Sequence, residues 1–284
     1  MLAAWPQISR RLLRPLGLRI GRYHWIGNTR IGIMQYRIVM SVHEASHRTL
    51  FFPIWINEAV GIFHASLVGI TFVRYRQQHQ AHHQAKEVDN DPDAYIYEPI
   101  LRAPAGIRRV AIWLFGMVPE IVEKIRQKGV APATAFASHK SPNRLHSFCV
   151  LVMQGGLFVA LWFLLGWWAY FALWVAPLLT VALMLNRTRV TIEHGLPQLE
   201  SIVAGGAYPQ VRVDTIDILT NPFDRFVFAP FAFNFHYTHH KIPSIPHYNN
   251  TRLSEFFGSS DEGGSHRIRA SYPALLVQVL WGSK

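Results

Sequence analysis

The sequence predicts an all-α fold: an integral membrane helical protein in which a transmembrane hairpin carries a histidine-rich helical cap on its cytoplasmic side. Two observations predict it. Half of the 284 residues are hydrophobic, and they pool into long apolar stretches instead of spreading evenly along the chain. The 15 histidines include three groups at helical spacing, placed on either side of the longest apolar stretch.

Charge and cysteine usage narrow the class. A net charge of +11 suits nucleic acid, an anionic membrane surface or an acidic protein partner. Lysines and arginines flank the apolar stretches and form no basic helix with interleaved aromatics, so nucleic acid is excluded as the partner. Nine tryptophans suit the aromatic belts of a membrane interface. Cys149 is the single cysteine and lies in the most apolar stretch. It can form no disulfide within the chain and reads as a small buried hydrophobe.

In chain order, Met1–Val42 opens with Arg10, Arg11, Arg14, Arg19 and Arg22 and lacks the apolar core and cleavage site of a secretory signal. Ile31–Val42 is too short to span. Leu50–Val73 is apolar but holds Asn57, Glu58 and His64, so it is expected to lie in the interface or to dip in and return. Asp89–Asp93, with Pro92, is a turn-forming acidic break. Arg109–Val122 reads as an amphipathic surface helix. His146–Leu185 runs for roughly 40 residues without an acidic or basic side chain, enough for two spans of ~20. Gly166-Trp167-Trp168 marks its turn. Lys140 and Arg144 before it, with Arg187 and Arg189 after it, place both outer ends in the cytoplasm. Ser271–Trp281 is a short apolar tail packed on the protein or the interface.

The histidines carry the chemistry. His43 and His47 stand at i, i+4; His79, His82 and His83 at i, i+3, i+4; and His236, His239 and His240 repeat the second spacing. Neutral imidazole ligates iron, zinc and copper, and facing helical groups can enclose more than one ion. One such pair alone is more often surface decoration than a site. Three groups around one hairpin read as a metal site. The topology agrees, because a two-span excursion returns the third group to the side of the second.

These boxes resemble the fatty acid desaturase superfamily of membrane di-iron desaturases, hydroxylases and ketolases. The resemblance runs from about Val42 to Leu253 within a single domain, 1–284. It includes Asn57 after the first box, Tyr75-Arg76 before the second and Asp91-Pro92-Asp93 after it. Arg189 to His194 and Asn234 to Pro246 complete it. It implies nine iron ligands: His43, His47, His79, His82, His83, His194, His236, His239 and His240. It also implies two Fe ions, O2 as co-substrate, a lipid or acyl-chain substrate, and an external electron donor of ferredoxin or cytochrome b5 type with its reductase. Desaturation of a fatty acyl chain is the first expectation, hydroxylation or ketolation of a lipid or carotenoid the second. Asp93 and Glu193 are candidates to orient ligand imidazoles. His24, His64, His139, His146, His247 and His266 match no box. The hairpin that family members usually carry before the first box is absent from Met1–Val42, or else Met1 is not the natural start.

Two rival readings come from other classes. His43-Glu44-Ala45-Ser46-His47 satisfies the His-Glu-x-x-His pattern of zinc proteases, with Glu44 as general base, but leaves the other two boxes idle. A non-catalytic metal carrier would need ionisable residues along its spans, and His146–Leu185 has none beyond His146.

Overall fold

The computed structural model describes residues 5–116, 118–119, 121–122, 144–203, 213–259 and 266–282. The protein is mostly helical. The first helix, α1 (Trp5–Ser46), runs unbroken for 42 residues into the first box, where the sequence suggested only a short apolar stretch. Despite its length it is not apolar enough to count as a span.

Helices α2 (Ile54–Leu67) and α3 (Phe72–Gln84) follow and meet at a bend of 100°. The chain is therefore sharply bent at the end of Leu50–Val73, as a broken span or a re-entrant segment would be. The chain then passes through α4 (Ala94–Arg102) and α5 (Ile107–Phe115). In α5 the amphipathic pattern is turned outward. Arg109 is buried and donates to the carbonyls of Ala103 (2.9 Å) and Val279 (2.6 Å), whereas Ile107 and Phe115 are exposed. An apolar outer face belongs against lipid.

The predicted hairpin is present. Helices α6 (Arg144–Leu165) and α7 (Trp168–Glu193) are both long and apolar enough to cross a membrane. Gly166 ends α6 at φ +110°, in the left-handed region that glycine enters without a Cβ penalty. Around Pro177, which has no N–H to donate, α7 widens into π turns at Phe171–Val175 and Leu178–Ala182. Side chains such as Phe163, 82 % exposed, and Leu164 project outward from α6. Burying such surface is worth roughly 25 cal/mol per Å², which water cannot supply and a bilayer can.

Gly32 brings α1 against α7, since a Cβ there would fall 2.4 Å from that of Val181. Beyond the hairpin come α8 (Gly195–Val203), α9 (Pro222–Val227), α10 (His236–Lys241), α11 (Asn250–Gly258) and α12 (Tyr272–Trp281). The apolar tail is thus α12, and it packs inward through Tyr272, Leu275, Val279 and Leu280. The sequence did not foretell a small parallel sheet, in which β1 (Asp217–Leu219) pairs with β2 (Arg267–Arg269). One core of buried side chains, including Tyr36, Met40, Ile192, Ile218, Phe233 and Tyr272, ties α1, α7, the sheet and α12 together.

Candidate metal centre

Each histidine box ends or begins a helix that something else holds in place. At the C-terminus of α1, Asn57 Nδ2 donates to Ala45 O at 2.8 Å while its Oδ1 accepts from Leu50 N and Phe51 N. Arg76, paired with Glu58 at 2.7 Å, also reaches Ala45 O. The residues flanking the boxes thus fix the turn that ends the first one. Box three sits on α10, whose Thr238 N and Oγ1 both donate to Asp217 of β1, at 3.0 and 2.5 Å.

All nine predicted histidines come together, in two groups. His43, His47, His79, His83 and His239 form one; His82, His194, His236 and His240 form the other. Within each group the candidate ligand atoms lie within 4.8 Å of one another. The groups adjoin, since the rings of His83 and His240 stack at 4.1 Å. Boxes two and three each contribute to both groups, which is how an i, i+3, i+4 pattern can serve two ions.

The nitrogens are posed for metal. Nε2 of His79 lies 2.8 Å from that of His47 and 3.0 Å from that of His83, and the Nε2 atoms of His83 and His239 are 3.1 Å apart. In the other group, Nε2 of His194 and His236 are 2.9 Å apart. An imidazole nitrogen sits about 2.0–2.1 Å from a divalent ion such as zinc, so two ligands at right angles lie about 3 Å apart. Two further nitrogens, Nε2 of His43 and of His240, are buried with no partner. Burial without a hydrogen bond is costly, and a bound ion removes the cost.

Carboxylates on the far side of the rings set the tautomers. Glu44 Oε1 lies 3.1 Å from His43 Nδ1, and Asp91 Oδ1 lies 2.7 Å from His82 Nδ1. A proton held at Nδ1 leaves the lone pair at Nε2 for a metal. Glu193 accepts from Arg189 at 2.6 Å and from the Tyr272 hydroxyl at 2.7 Å, with Oε2 3.7 Å from His236 Nδ1. Burial lowers the pKa values of His194, His236, His239 and His240 well below the usual 6.5, and neighbouring imidazoles push the same way. They are neutral, as ligation requires. Burial alone would raise the Asp91 carboxyl, but His82 outweighs it and holds it at about 2.

A family model described as fatty acid desaturase matches residues 23–259. The chain belongs to the fatty acid desaturase family. Comparison with curated proteins finds no match. Desaturases of this family are membrane-bound, lipid-acting oxidoreductases that generally use two irons. In this chain the two histidine groups, lined by imidazole nitrogens, fit that use.

The protease reading finds no support. Glu44 is buried against His43, accepts from Thr49 Oγ1 at 3.2 Å and lies 3.5 Å from His247 Nδ1. It is engaged as a positioning group, and all three boxes share the site.

Other expectations shift. The carboxylate on His82 is that of Asp91; Asp93 accepts from Gln78 Nε2 at 2.7 Å instead. The separation of nine residues is bridged by a short 3-10 turn at Val88–Asn90, which no helical periodicity announces. Arg187 and Arg189 are buried, Arg189 between Glu193 and the Phe233 ring. They serve the interior of the protein and not its surface charge. Of the histidines outside the boxes, His64 meets Ser41 Oγ at 2.6 Å, His146 Nδ1 accepts from Val73 N at 3.3 Å, and His266 stacks on Tyr237 at 4.3 Å. His139 and Lys140 lie outside the described residues, as does the side chain of His24. Tyr97, whose hydroxyl donates to Asp91 Oδ2 at 2.7 Å, and Tyr272 are supporting residues that nothing in the sequence distinguished from core aromatics.

Proposed function

We propose that this desaturase introduces a double bond into a fatty acyl chain in an O2-dependent reaction, with His43, His47, His79, His83 and His239 holding one iron and His82, His194, His236 and His240 the other. The observation that supports this most is the convergence of three distant boxes and His194 on two adjoining nitrogen-lined groups. Irons bound there would supply the activation of O2 and the removal of hydrogen from an unactivated C–H bond.

The chain's own residues supply the setting. Glu44 and Asp91 hold Nδ1 protons and aim Nε2 lone pairs inward. Phe233 packs edge-on against His43 at 4.4 Å and, tilted, against His236 at 4.8 Å, which excludes water between the boxes. The Arg189–Glu193 pair is fully buried and satisfied on both oxygens, so Glu193 stays beside His236 without competing for the metal.

We further infer a multi-pass arrangement. Helices α6 and α7 cross and return, the bent pair α2–α3 re-enters without crossing, and the histidine site faces the cytoplasm. Electrons come from an external carrier of ferredoxin or cytochrome b5 type, and the net charge of +11 suits an acidic one.

The test is expression with each carrier and its reductase, followed by mass spectrometry of extracted lipids. A loss of two mass units identifies desaturation, and a gain of sixteen identifies hydroxylation in its place. Unchanged lipids with a reduced, iron-loaded enzyme would count against both.

A further inference from the structure

The residues just before box three also line an open cavity of about 540 Å³ that has no histidine among the described residues of its lining. Its walls include Arg225 of α9, Arg267 and Arg269 of β2, Asn234, Ser271 and, as the one acid among the described residues, Glu255. The strand explains the crowding of charge. Ile268 packs against the hydrophobic core, so its neighbours at alternate positions both point to the opposite face.

Among the described residues, these three guanidiniums have no hydrogen bond or ion pair, and Arg267 Nε is buried without a partner. Asn234 is 1 % exposed. Its Nδ2 donates to Ile218 O at 2.9 Å, which fixes the amide's orientation and leaves Oδ1 buried and unpaired. Three cationic forks and one orphaned acceptor are a recognition set for a phosphate with a hydroxyl nearby.

The surroundings point to a lipid. Phe223 and Phe226, on the same short helix as Arg225, are 69 % and 49 % exposed, and Phe256 beside Glu255 is 70 % exposed. Exposed aromatic rings next to a basic cleft are what a membrane interface accommodates, rings in the acyl region and charges at the headgroups.

We propose that this cleft binds the phosphate of an anionic lipid headgroup that carries a hydroxyl, at a site separate from the histidine groups. It does not depend on which reaction the irons perform.

The experiment uses the full chain purified in a non-ionic detergent and titrated with short-chain phosphatidylglycerol, phosphatidylcholine of equal chain length, and glycerol 3-phosphate, followed by native mass spectrometry. Phosphatidylglycerol should bind at least about tenfold more tightly than phosphatidylcholine, and Arg267→Gln with Arg269→Gln should remove that advantage. Arg225→Gln, an exposed substitution outside the sheet, should weaken it in the same direction, and Arg108→Gln should leave it unchanged. Unaltered iron content in each variant shows that the fold survives. Equal affinity for glycerol 3-phosphate, lost with the same arginines, would overturn the lipid assignment and leave a soluble phosphate site. Phosphatidylglycerol binding that ignores all three arginines would overturn the proposal entirely.

Discussion

Asp91 Oδ1 lies 2.7 Å from His82 Nδ1, and the Tyr97 hydroxyl closes on the other oxygen at the same distance. This contact converts a surface-type acidic turn into a support for the metal site. Asp91→Asn keeps the shape and removes the charge. It should lower iron affinity about 10- to 100-fold, measured by competition with a chelator, while Asp89→Asn leaves it unchanged. Equal affinity in both variants would show that Asp91 is merely a turn residue.

Tyr272 makes the corresponding contact at the far end of the chain, donating to Glu193 Oε1 from α12. Tyr272→Phe leaves a buried carboxylate oxygen short of a donor, at a cost of about 1–3 kcal/mol. Thermal unfolding in detergent should shift down accordingly. An unchanged midpoint would mean that Arg189 alone satisfies Glu193.

Glu44→Gln separates the two roles considered for that residue. A positioning group is partly replaced by an amide, so oxidation activity and iron content should fall by about tenfold or less. Peptidase activity, absent in the native chain on this account, should remain absent. Loss of a measurable peptidase activity on substitution would restore the protease reading.

Much of this was legible because the informative residues are local. The first box is an i, i+4 pair and the other two are i, i+3, i+4 patterns, and the hairpin is an apolar run divided at Gly166-Trp167-Trp168. The rest depends on contacts that span the chain. Asp91 reaches His82 only because the 3-10 turn at Val88–Asn90 folds back, whereas the sequence pointed to Asp93. Arg187 and Arg189 carry charge that reads as surface, yet Glu193 and Phe233 draw Arg189 inside. The pairing of Asp217–Leu219 with Arg267–Arg269 joins two three-residue segments too short to show a strand period.

The neutral histidines make stability depend on pH. His194, His236, His239 and His240 bind protons less readily folded than unfolded. The unfolded chain therefore takes up more protons below about 6.5, and stability falls as pH drops through that value. Each contributes up to about 1.4 kcal/mol per pH unit. Unfolding midpoints of the metal-stripped chain should decline between pH 7.5 and 5.5. A midpoint independent of pH would place these rings in contact with solvent.

The central claim is that the nine histidines hold two irons. Elemental analysis of the purified chain, reconstituted with ferrous iron under exclusion of oxygen, tests it most directly, with His239→Ala and His266→Ala in parallel. The account predicts two irons per native chain, a clear loss in His239→Ala and none in His266→Ala. One zinc per chain, or the same iron content in both variants, would contradict it.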